Sequence, residues 1–135
     1  MGDFLDQLEM RAGASEHAID QMLTDLKAPL PADYVAFLRR SNGAVGHGPD
    51  LFVILEPAER IREATIEYGA AEYYPGLVVI GGDGCGNLLG INGRSCDPEQ
   101  MEYVVFDPVW LDLESESCQH RSKTLQDVFA YLVQR

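Results

Sequence analysis

Apolar residues recur along this chain with a helical period in four places and as short continuous runs in several others. Ile19, Met22, Leu23 and Leu26 fall at i, i+3, i+4 and i+7, which predicts a helix over residues 15–26 with one apolar stripe. Ser15 is placed to cap it, Glu16 suits the positive end of its dipole, and Lys27-Ala28-Pro29 stops it, because proline cannot continue the hydrogen-bond ladder. A second helix follows, with Pro31 in its first turn, Asp33 against the dipole, and Tyr34, Phe37 and Leu38 on the buried side. Arg39 and Arg40 suit its C-terminal end. Asn42-Gly43 is expected to close it, since both residues accept a left-handed conformation. Residues 44–50, with Gly46, Gly48 and Pro49, read as a loop.

The pattern then changes. Residues 51–55 (Leu-Phe-Val-Ile-Leu) form an apolar run that suits a buried strand, and Glu56-Pro57 opens a third helix in which Ile61, Ala64, Thr65 and Tyr68 keep the helical spacing. Tyr73-Tyr74-Pro75-Gly76 is a turn. Residues 77–80 and 88–91 are two apolar strands of a hairpin, joined by the glycine-rich residues 81–86. Asn92-Gly93 marks a turn and Asp97-Pro98 a loop. Residues 103–106 are the next strand, Asp107-Pro108 ends it, and residues 109–113 offer a further one. Leu125, Val128, Phe129 and Leu132 restore the helical stripe, with Ser122 or Thr124 as the cap. This order predicts an α+β fold: a mainly antiparallel sheet flanked by N-terminal helices and a C-terminal helix, as one domain over residues 1–135.

Composition narrows the class. The 135 residues are 46% hydrophobic, enough for a packed core and too many for a disordered chain. No apolar run approaches the length that spans a bilayer. The 22 Asp and Glu against 10 Lys and Arg leave a formal net charge of −12, which argues against nucleic acid, since phosphate binding needs a basic surface. Such acidity favours solubility or a basic protein partner drawn in by the field. Residues 1–6 lack the basic and apolar regions of a signal peptide, and position 6 is Asp where myristoylation needs Ser or Thr. Three irregularly spaced cysteines suit reduced thiols, so a cytoplasmic protein is expected.

Several segments together resemble a known family. Leu30-Pro31-x-x-Tyr34-x-x-Phe37-Leu38 followed by Asn42-Gly43, then residues 77–81 running into Asp83-Gly84-x-Gly86, then Thr124-Leu125-x-x-Val128-Phe129-x-x-Leu132, occur in the order of the SUKH superfamily, the Smi/Knr type of domain. The resemblance covers residues 15–135. It implies an α+β fold and a binding role: bacterial members look like immunity proteins that neutralise toxins, often nucleases, and fungal members act in cell-wall regulation. It implies no catalytic residues, carries Leu30, Tyr34, Phe37 and Leu38 over as fold residues, and carries the turn at Asp83–Gly86 over as a surface feature.

The residues themselves offer little chemistry. The cluster Gly81-Gly82-Asp83-Gly84-Cys85-Gly86 leads into a strand, contains an Asp that repels phosphate and has no following Lys, so it reads as a tight turn and not a phosphate cradle. Among Cys85, Cys96, Cys118, His47 and His120 only Cys118-x-His120 is closely spaced, and Asp50, Asp83 and Asp107 lack the alternation of a calcium loop; no metal or cofactor is expected. A nucleophilic pair of Cys85 with His47 or His120 lacks any supporting motif. Two surface features remain as partner-binding candidates besides Asp83. Asp112, Glu114 and Glu116 have the period of two that gathers carboxylates on one strand face, and Tyr73, Tyr74 and Trp110, with Tyr68, are aromatic types enriched at interfaces. The expectation is a non-enzymatic immunity protein that occludes a basic toxin domain; the alternatives are a regulatory interaction module or, less well supported, a small hydrolase or metal-dependent enzyme.

Overall fold

A computed structural model of the chain describes residues 8–26, 29–46, 53–67, 76–84, 86–93, 100–107 and 118–134. Helix α1 (Glu16–Leu26) starts where Ser15 Oγ accepts the Ala18 amide at 3.0 Å, and it buries Ile19 and Met22. Helix α2 (Ala32–Arg40) buries Tyr34, Phe37 and Leu38. Pro31 is its N-cap rather than a residue of its first turn, with φ −56° and ψ 142°. The expected left-handed closure at Asn42-Gly43 is displaced. Ser41, extended at φ −150°, ends the helix, and Gly43 takes positive φ, at 84°. The cause is a side-chain clasp: Ser41 Oγ donates to the Gly43 carbonyl at 2.6 Å and accepts the Arg11 amide at 2.8 Å, which draws the chain out of the helix and into a strand.

Seven strands form one sheet in the order in which they occur along the chain, every neighbouring pair antiparallel: β1 (Leu8–Met10), β2 (Ala44–Gly46), β3 (Ile54–Leu55), β4 (Leu77–Gly82), β5 (Leu88–Asn92), β6 (Glu102–Phe106) and β7 (Cys118–Ser122). The hairpin of β4 and β5 and the strand β6 match the apolar runs. Residues 44–46, read as loop, are a strand because they pair with both β1 and β3. The strand expected over 51–55 is limited, among the described residues, to Ile54–Leu55. Neither β1 nor β7 was anticipated, and Ser122 belongs to β7, leaving Thr124 as the cap of the last helix. The strand expected over 109–113 lies outside the described residues.

The pleat sorts the apolar side chains onto two faces. Val78, Ile80, Leu89, Ile91, Tyr103 and Val105 join the main core with α1, α2 and the C-terminal helix, while Leu77, Val79, Leu88, Val104 and Phe106 form a second cluster. Helix α3 (Ala58–Glu67) straddles the sheet edge, with Ile61 in the main core and Ala64 in the second cluster. It takes that place because β3 is only two residues long, so among the described residues β4 has no strand partner beyond Ile80 on that side. Thr65 Oγ1 fills the vacant pairing position: it accepts the Val79 amide at 3.0 Å and donates to the Ile61 carbonyl at 2.9 Å. Asn42 caps α3, its Oδ1 accepting the Ala58 amide at 2.7 Å and its Nδ2 donating to Glu59 at 2.8 Å, a bond that also lowers the Glu59 pKa.

Helix α4 (Leu125–Gln134) is fixed by two side chains. Thr124 Oγ1 accepts the Asp127 amide at 3.1 Å, and Asp33 Oδ2 reaches across from α2 to accept the Leu125 amide at 2.8 Å. The other Asp33 oxygen accepts the Tyr103 hydroxyl at 2.5 Å, so one carboxylate ties α2 to β6 and to α4. Burial, then this bond, push the Tyr103 pKa up. Among the described residues no helix is long and apolar enough to cross a membrane.

Candidate functional site

The glycine-rich segment is a turn built from the inside. The Asp83 amide donates to the Asn87 carbonyl at 3.1 Å; Asp83 Oδ1 accepts the Asn87 amide at 3.1 Å and Oδ2 accepts Asn87 Nδ2 at 3.0 Å. Gly84 and Gly86 supply positive φ, at 76° and 97°. Gln119 Nε2 of β7 donates to Asn87 Oδ1 at 2.7 Å and anchors the turn from the side. The segment leads into β5, a strand, so it lacks the helix N-terminus of a phosphate cradle. Gly84 and Gly86 are exposed, so the turn lies at the surface, while the Asp83 carboxylate is 4% exposed and turned inward onto Asn87.

Beside this turn lies a groove of about 330 Å³, lined among the described residues by Ile54, Glu56, Ala64, Val79, Leu88 and neighbouring backbone of the hairpin. Gly81 must be glycine, since a Cβ would stand 2.1 Å from the Ile54 carbonyl oxygen, and this lets β3 and β4 approach closely at the groove's floor. Among the described residues α3 presents only the methyl of Ala64 to it. Ile54 faces away from the main core and is 43% exposed at the rim. Glu56 supplies a carboxylate. Its ion pair with Arg60 is long, 3.8 Å, because Arg60 is held at 2.6 Å by Glu63 and also faces Glu67 at 3.8 Å. Three carboxylates thus surround one guanidinium on this side of α3. Neither Ile54 nor Glu56 stood out in the sequence, where the first reads as a buried strand residue and the second as a helix opener.

The chemical candidates do not converge. Cys118 lies opposite Phe106 and joins the second cluster, its thiol donating to the His120 carbonyl at 3.6 Å. His120 lies opposite Val105; its ring stacks on Tyr131 of α4 at 4.1 Å and its Nε2 bonds to Ser122 Oγ. Residues two apart share a face in a regular strand, but the register shift between Val105 and Phe106 leaves Gln119 as an extra residue and sends the thiol and the imidazole to opposite faces. Burial lowers the His120 pKa, with Asp127 acting against it. Among the described residues no three His, Cys, Asp or Glu side chains are grouped to hold a metal. Asp112, Glu114, Glu116, Tyr73, Tyr74, Trp110 and Tyr68 lie outside the described residues, as do His47, Asp50, Cys85 and Cys96.

The model of the SMI1/KNR4 family (SUKH-1) matches residues 13–131 of the chain. No curated protein matches it.

Proposed function

The chain belongs to the SMI1/KNR4 family (SUKH-1), and from that premise we propose that it acts by binding another protein and not by catalysis, most concretely as a cytoplasmic immunity protein that occludes a toxin domain. The observation that carries this reading is the net charge of −12 on such a domain. Glu16, Asp20 and Asp25 of α1 and Glu59, Glu63 and Glu67 of α3 are all exposed. Asp33, Ser41, Thr65 and Asp83, by contrast, are spent on backbone groups of the fold itself. What the domain offers outward is shape and negative potential, which suits the basic groove of a nuclease-like toxin. Asp112, Glu114 and Glu116 are proposed as contacts through their spacing, with Tyr73, Tyr74 and Trp110 as apolar anchors.

The test is co-expression with the product of the neighbouring gene. Protection of cells from that product, together with a complex of the two purified proteins, supports the immunity role. A complex with a non-toxic partner supports the regulatory module instead. In either complex, association slows as salt rises and slows again on charge reversal at Glu114 and Glu116, while dissociation changes less. An association rate indifferent to both removes the electrostatic part of the reading.

A further inference from the structure

We propose that the groove between α3 and the glycine hairpin receives an arginine side chain of the protein partner, its aliphatic stem lying on Ile54, Val79 and Leu88 and its guanidinium meeting Glu56. This rests on the protein-binding reading and names the surface and the chemistry that serve it.

A groove of about 330 Å³ has room for a single long side chain. The lining is apolar along most of its length and carries a carboxylate, Glu56. That pattern suits a side chain with a hydrocarbon stem and a cationic head. Gly86, with no atom within 4 Å of where a Cβ would stand, leaves the hairpin end of the groove open. Ile54 leaves apolar surface in water that such a stem would cover.

Charge points the same way. Glu56 is the carboxylate that lines the groove among the described residues, and it is held only at 3.8 Å by Arg60, which sits closest to Glu63 and also faces Glu67. Arginine is favoured over lysine because its guanidinium is the more weakly hydrated and gives up less on entering a partly dry cleft.

The experiment uses the full chain, labelled with ¹⁵N, and three small probes: N-acetyl-arginine amide, its uncharged citrulline counterpart of equal length, and N-acetyl-norleucine amide. The arginine probe is expected to shift the amides of Gly81, Gly82, Gly86 and Leu88 saturably. The citrulline probe should bind about fivefold more weakly, the upper end of what a solvent-touched ion pair contributes. Glu56→Gln should erase that preference with an unchanged melting temperature, and Ile54→Ser should weaken the arginine and citrulline probes alike. Equal binding of the two, no saturable shift at these amides, or a preference that survives Glu56→Gln overturns the proposal. No partner is needed, so such a failure removes the groove and leaves the protein-binding reading to its own co-expression test.

Discussion

On one face of the sheet, Val78, Ile80, Leu89, Ile91, Tyr103 and Val105 pack beneath α1, α2 and α4, and a single carboxylate, Asp33, bonds across three elements to hold the layers in register. On the other face, Leu77, Val79, Leu88, Val104 and Phe106 form a second cluster, smaller among the described residues, that α3 reaches through Ala64. The first face is closed by long side chains and directional bonds. Among the described residues, the second is bordered by Ala64 and the glycine hairpin, and a groove opens beside them. Both faces bury apolar side chains, but among the described residues the groove lies on the second alone, so mutations at Phe37 and at Ile54 should act differently.

The largest effect is expected at Phe37, which is buried in the main core and meets Phe129 edge to face at 6.3 Å and 70°. Phe37→Ala should cost about 3–5 kcal/mol in urea unfolding, whereas Ile54→Ser on the second face should stay within about 0.5 kcal/mol. A Phe37→Ala protein that unfolds like the parent would break the division between the faces. Next comes Asp33→Ala, which strips the Tyr103 hydroxyl and the Leu125 amide of their acceptor and should cost about 2–3 kcal/mol. Tyr103→Phe, which removes the donor but keeps the ring, should cost about 1 kcal/mol, so that the two variants apportion the network.

The helices and central strands were legible because their apolar residues repeat with a clear period. Ile19 and Met22, Tyr34 and Leu38, Val128 and Leu132 are buried as that period requires. The strands β1, β2 and β7 were not legible, since Leu-Glu-Met, Ala-Val-Gly and Cys-Gln-His-Arg-Ser are too short or too polar to carry a signal of their own and take their form from neighbours. The same holds for the polar contacts. Ser15 and Thr124 cap the helices next to them, as local chemistry predicts, but Asn42 caps α3, a helix that begins 16 residues later, and Asp33 serves an amide 92 residues away. The turn at Asp83 was readable from its residue types; the burial of its carboxylate was not. The groove left no mark in the sequence, because it lies between a helix and a hairpin brought together by the fold and includes an isoleucine left exposed by a strand that stops after two residues.

A smaller effect tests the edge where the two faces meet. Thr65→Val keeps the shape of the side chain but leaves the buried Val79 amide without its acceptor, and should cost about 1–2 kcal/mol. Thr65→Ser, which restores the hydroxyl, should recover most of that difference. Equal stability of the two variants would mean that α3 holds the edge by packing alone.

The smallest effect concerns the margin of the first face, where His120 of β7 stacks on Tyr131 of α4. Burial lowers the pKa of the folded imidazole below its ordinary value, while Asp127 partly offsets the shift. Between the folded pKa and the unfolded value near about 6.5, the unfolded chain binds the proton more readily than the folded one. The stabilisation from a neutral His120 is therefore fully present above about pH 6.5 and is lost as pH falls through the folded pKa. The ring is partly solvated, so this is the smallest of the effects. His120→Phe keeps an aromatic ring against Tyr131 and removes the titration, and the many carboxylates contribute the same background to both proteins. Urea midpoints measured at pH 7.5 and 5.5 should then show a larger loss on acidification in the parent than in the variant. A parent that gains stability relative to the variant would mean that attraction to Asp127 outweighs burial, and that β7 meets α4 through charge rather than through an apolar stack.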